Sequence, residues 1–256
     1  EQILSTFDTF NFTVKEDEPL EKEVAVDPEM LGKVFENLLE IKDRKSKGAF
    51  YTPREIVHYM CQQSLINYIE TNTAIPREDI EKFIQRGDLA LDQIIKAQAQ
   101  KSKYQGRTFN IDTKSLLPES IEKNYALLDK LFKEIKIVDP AVGSGAFPVG
   151  MLNEIVKARS ILSIFFKEER KNIDLKREII ENCLYGVDIE PSAVEIAKLR
   201  FWLTLIVDED NIDNIKPLPN LDHKIMCGNS LLEEFEGIKL FDERLLGEVV
   251  KDNSVE

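Results

Sequence analysis

The chain has 256 residues, 43% of them hydrophobic, which is enough to bury a core and excludes wholesale disorder. Its apolar runs, as at 201–203 and 205–207, are far shorter than a membrane span, and Glu1 to Phe10 lacks the basic and apolar regions of a signal peptide. The net charge of −13 comes from the ends: residues 1–40 hold eleven acids against three bases and residues 233–256 hold eight against three, which argues against nucleic-acid contact there. Cys61, Cys183 and Cys227 are widely spaced, no C-x-x-C occurs, and His58 and His223 are the two histidines, so no metal site is expected. Reduced, buried thiols of a cytoplasmic protein fit this pattern. Without an initiator Met, the chain reads as a segment of a longer protein.

In chain order, "DPEMLGKVFENLLE" predicts an amphipathic helix, capped by Asp27, with Leu31, Val34, Phe35, Leu38 and Leu39 on one face. The stretch "KDRKSKG" at Lys42 to Gly48 puts four bases in six residues, either as a solvated loop or as a phosphate contact. Next comes "AFYTPREIVHYMCQQSLINYI", where Thr52 and Glu55 have capping-box spacing and Pro53 suits a first helical turn. Residues 71–117 are polar, with helical patches at "EDIEKFI" and "LDQIIKA", and read as a helical insertion. One helix over "SIEKNYALLDKLFKEI" leads to the strand "IKIVD", and another runs from Pro148 through "MLNEIVKARSILSIFF". The strand "CLYGVDI", the apolar helix "PSAVEIAKLRFWLTLIV" and the strand "HKIMC" follow. Alternating strands and helices define an α/β chain whose parallel sheet is expected to be covered on both faces.

The chemistry gathers at "DPAVGSGAF". Gly143 and Gly145 allow positive φ and a close backbone approach, the next helix start offers unpaired amides, and Asp139 could receive an ammonium. A tight turn without a ligand explains the same glycines. Asp188, ending the next strand, could grip both hydroxyls of a ribose or could serve the turn into the next helix. The loop departs from G-x-G-x-x-G, and Asp188 lies 45 residues beyond Gly143, so a dinucleotide fits poorly. A nucleoside with an amino-acid tail fits better, its carboxylate meeting the helix start at Thr52.

Together "GAFYTP", "DPAVGSGAF", "LYGVDIEPSAVEIAKLRFWLTL" and "GNSLL", in this order, resemble the adenine-N6 DNA methyltransferases of restriction–modification systems, above all the large chains that fuse methylation and cleavage. The resemblance implies a partial Rossmann-like sheet that binds S-adenosylmethionine. Residues 1–134 would be a helical N-terminal region with the cofactor-tail motif at 48–70, and residues 135–256 the first part of the methyltransferase domain. By motif, Tyr51 and Thr52 would hold the methionine end, and Asp139, Ala141, Gly143 and Gly145 would form the cofactor loop, with Phe147 lining it. Asp188 would bind ribose, Ile189 would lie against adenine, and Asn229 and Ser230 would lie at the adenine edge, where relatives often carry an acid in place of Asn229. The family's N-P-P-Y element, which binds the flipped base, has no counterpart, since no Pro-Pro pair occurs. No catalytic residue is therefore expected in this chain. The implied partner is double-stranded DNA, reached by the full-length enzyme. A small-molecule or protein methyltransferase and a non-catalytic scaffold are the alternatives.

Overall fold

The computed structural model describes residues 11–13, 23–25, 52–87, 89, 91–92, 117–166, 170–206, 217, 219–235 and 238–239. The expected helix at 27–40, the basic stretch 42–48 and Tyr51 lie outside them. Near the N-terminus, β1 (Asn11–Thr13) and β2 (Glu23–Ala25) pair in parallel, so the N-terminal region is not purely helical.

Helix α1 (Arg54–Asn72) starts two residues beyond Thr52. A residue before proline is driven out of the helical region, and Pro53 itself takes the cap position with ψ at 142°. The amides of Ile56 and Val57 donate to the Pro53 carbonyl, and no side chain caps the helix. Thr52 is therefore not the capping residue its spacing predicts. After α2 (Arg77–Gln85), the helix expected over 120–135 is divided into α3 (Glu119–Lys123) and α4 (Tyr125–Glu134). The Asn124 side chain donates to the Ser120 carbonyl at 2.8 Å, and such local bonding competes with a continuous helix.

The sheet follows: β3 (Ile137–Asp139), β4 (Leu184–Asp188) and β5 (Ile225–Cys227), all parallel and in sequential order. Between β3 and β4 run α5 (Ala146–Leu162), a short 3-10 turn and α6 (Asn172–Asn182), and α7 (Pro191–Ile206) joins β4 to β5. Helix α5 begins at Ala146, not Pro148, because Gly145 at φ 85° ends the loop and proline is tolerated in a first turn. Helix α6 was not anticipated, although Leu175, Ile179 and Ile180 recur at helical spacing and are buried. Beyond the sheet, β6 (Glu234–Phe235) and β7 (Ile238–Lys239) form a small antiparallel pair.

Right-handed crossovers that step the same way across a sheet lay their helices on the same face. Leu184, Gly186 and Ile225 are buried on that face, whereas Val138 is 64% and Met226 42% exposed on the other. The expected two-sided cover is thus one-sided among the described residues. Tyr185 shares the open face, with the Lys224 ammonium 3.9 Å from its ring centroid.

Helix α1 crosses α5 where the latter has no side chain. A Cβ at Gly150 would stand 2.5 Å from Val57 Cγ1 and 3.4 Å from Cys61 Sγ. The crossing is fastened by the buried Glu154, which accepts from Gln62 at 3.2 Å, faces His58 Nδ1 at 2.7 Å and pairs with Lys157 at 2.8 Å. A second tie is the buried Arg159, which joins Asp129 of α4 to Glu178 of α6. Overpacking such a crossing costs about 1–3 kcal/mol. Gly150→Ala is expected to lose that much stability in urea denaturation, with the main displacement at α1.

Candidate functional site

The carboxyl ends of β3, β4 and β5 carry three loops, and hydrogen bonds tie each loop to another. The Val142 amide donates to the Val187 carbonyl at 2.9 Å, and the Gly143 amide donates to Asp188 Oδ2 at 2.7 Å. Asp188 Oδ1 accepts the Glu190 amide at 2.9 Å, which sets the turn into α7, while its backbone carbonyl accepts the Gly228 amide at 2.9 Å. From the third loop, the Ser230 hydroxyl donates to the Pro140 carbonyl at 2.7 Å. Asp188 is thus fastened to all three loops.

Gly143 and Gly145 have different roles. Both have positive φ, 52° and 85°. A Cβ at Gly145 would meet Ala197 Cβ at 3.0 Å and its Cα at 3.2 Å, so this glycine lets α7 pack against the loop. A Cβ at Gly143 would meet nothing within 4 Å, so open space lies over that residue. Val142 is buried and would stand 2.8 Å from a Cβ at Gly186, so the loop lies directly on the central strand. Gly145 caps α5 without any side-chain bond, and Ala146 and Phe147 open its first turn, where amides have no carbonyl one turn back. Phe147 is half-buried against the core, and its carbonyl receives the Cys61 thiol at 3.7 Å.

Asp139 Oδ1 accepts the Ala141 amide at 3.1 Å. Burial pushes the Asp139 carboxyl above its ordinary value; the Ala141 amide opposes that shift and the neighbouring Asp188 adds to it. The Cys61 thiol, on the α1 face that meets α5, is pushed up to about 12 by burial, then by Glu154 and Asp139. Ile189, which follows Asp188 in the chain, is 66% exposed. Asn229 Oδ1 accepts the Leu231 amide at 2.9 Å, a bond that an Asp oxygen could make equally. Thr52 is half-buried ahead of α1.

The structure thus brings together Asp139, Ala141, Gly143, Gly145, Asp188 and Ser230 through these bonds, with Ile189 and Asn229 on the same loops. Sequence reasoning missed Ala197 and Arg200 of α7, which hold the loop from behind; a lone Arg on an apolar helix was the available signal.

Similarity to known proteins points to one class, the DNA methyltransferases. Residues 117–243 match the family described as MmeI, DNA-methyltransferase domain. A putative type II restriction enzyme and methyltransferase of Methanocaldococcus jannaschii is 36% identical over 241 residues, 90% of this chain and 18% of that protein. The type II restriction enzyme and methyltransferase RM.Eco57I of Escherichia coli is 30% identical over 123 residues, 42% of this chain and 12% of that protein. The adenine-specific methyltransferase BrxX of Escherichia coli O9:H4 is 25% identical over 184 residues, 71% of this chain and 12% of that protein. The chain is thus similar to the methyltransferase part of restriction–modification enzymes, and it spans less than a fifth of the length of these relatives.

The raised Asp139 carboxyl gives a pH prediction. A carboxyl with a raised folded-state pKa destabilises the fold as pH rises through and above the ordinary value of 3.8. Asp139→Asn keeps the oxygen that accepts the Ala141 amide and removes the charge. Its melting temperature is expected to exceed that of the parent at pH 7 and to converge with it below pH 3.8, as followed by calorimetry.

The two glycines give a second. A left-handed L-residue costs about 1–2 kcal/mol. Gly143→Ala is expected to lose about that much, whereas Gly145→Ala loses more because it also collides with Ala197. Equilibrium denaturation of both variants measures the difference.

Proposed function

We propose that this chain is the S-adenosylmethionine-binding part of a site-specific DNA adenine-N6 methyltransferase, built on a Rossmann-like sheet. Within it, residues 135–256 form the first part of the methyltransferase domain, and residues 1–134 form an N-terminal region that supplies the cofactor-tail motif. One observation carries this reading: Asp188 ties together three strand-end loops beside the open space over Gly143.

The residues fit this nucleoside. Each carboxylate oxygen of Asp188 accepts one amide and keeps capacity for another donor, so a ribose diol can be received with the loop still fastened. Asp139, with Oδ2 left beyond its Oδ1 bond to Ala141, suits the ammonium of the methionine moiety. A cation there offsets the burial that disfavours its ionised form. The first-turn amides of α5 and the Tyr51–Thr52 segment ahead of α1 suit the polar tail. Ile189 offers an exposed apolar surface to the adenine ring, and the Asn229 side chain and the Ser230 backbone line its edge.

When bound, the cofactor supplies an electrophilic sulfonium methyl for attack by an adenine N6. The role of this chain is to bind and orient the donor, since holding reactants in line is a large part of such catalysis. Base binding through N-P-P-Y is not assigned to these residues, which contain no Pro-Pro pair, so the chain by itself is expected to bind donor without methylating DNA. DNA as the substrate is favoured over a small molecule or a protein by the restriction–modification relatives. The basic stretch at 42–48 is proposed to meet DNA phosphates in the full-length protein.

Hydrogen bonds to a charged group are worth about 1.5–3 kcal/mol. Asp188→Ala is therefore expected to weaken S-adenosylmethionine binding by about tenfold or more in titration calorimetry. An unchanged affinity would remove Asp188 from the site and with it this reading.

A further inference from the structure

We propose that Arg200 is a positioning residue for the glycine loop, a role whose link to the ligand rests on the donor-binding reading above. Helix α7 turns Ala193, Val194, Ala197, Phe201, Thr204 and Leu205 into the protein interior, and Arg200, only 3% exposed, is the charged residue on this face. Burying a guanidinium costs several kcal/mol before its partners are counted, and a well-packed apolar side chain at such a place is often as stable. Its Nη1 donates to the Ser144 carbonyl at 2.9 Å and lies 3.4 Å from the Ser144 hydroxyl.

The Ser144 carbonyl has a particular need for this donor. In a continuing helix it would accept from the residue four positions on, which is Pro148, and proline has no N–H. Arg200 supplies the missing hydrogen bond from a different helix. One turn earlier, Ala197 touches Gly145. Helix α7 thus holds Ser144 and Gly145, while β4 holds Val142 and Gly143 through the Val187 carbonyl and Asp188. The loop is clamped from two sides, and the direction in which Gly143 and the first turn of α5 face the crevice is fixed by both.

The test compares Arg200→Met and Arg200→Lys with the parent in the intact protein by amide hydrogen exchange, thermal unfolding and S-adenosylmethionine calorimetry. For Arg200→Met, exchange at 143–147 is expected to speed up by about tenfold while the α7 amides stay protected, and donor affinity is expected to fall by a similar factor. Arg200→Lys, whose ammonium can reach the same carbonyl, is expected to restore both to within about threefold. Unchanged loop exchange in Arg200→Met would overturn the proposal. So would equal loss of loop and α7 protection in both variants, which marks a purely structural residue. Should the parent not bind the donor at all, the proposed function fails, and the exchange measurements still decide whether Arg200 positions the loop.

Discussion

The site end of this fold depends on where one carboxylate is anchored. Asp188 ends the central strand, and its two oxygens hold an amide of the preceding loop and an amide of its own turn. Its backbone carbonyl holds the loop after β5. A parallel sheet gives three strand ends at one edge but no reason for the loops above them to keep a common shape; Asp188 supplies that reason. A side chain that fastens three loops cannot be exchanged without disturbing the geometry of all three strand ends.

The surrounding residues differ in what they pack against. Gly145 is bare because Ala197 approaches it, whereas Gly143 faces open space. Val142 packs down over Gly186, which lacks a side chain so that the loop can lie on the strand. Asp139 is held in partial burial next to a second acid, a placement unfavourable to its charge.

Much of this was legible in the sequence because the motifs are local. The succession of strands along the chain, the positive-φ glycines and the acids at the strand ends all follow from short stretches of sequence. The misreadings have physical causes as well. Thr52 looks like a cap until the proline after it forces the helix to start later. Asn124 divides a helix whose apolar spacing is unbroken, because its side chain bonds the backbone of the preceding turn. Helix α6 was overlooked because its polar residues outweigh three buried ones. Arg200 could not be assigned from the sequence, since its partner is a carbonyl 56 residues away that matters only because Pro148 cannot serve it. The helix expected at 27–40, the basic stretch and Tyr51 lie outside the described residues.

The side of the sheet left uncovered among the described residues has a thermodynamic consequence. Val138 and Met226 project, exposed, from β3 and β5, which flank β4, on the face that they share with the half-buried Tyr185 and Val187. Parallel strands are ordinarily sandwiched between two layers. Any polypeptide that settles on this side binds only the assembled strands, and mass action then couples its concentration to how firmly they hold together. Resistance to unfolding is in that sense a property the sheet shares with its surroundings.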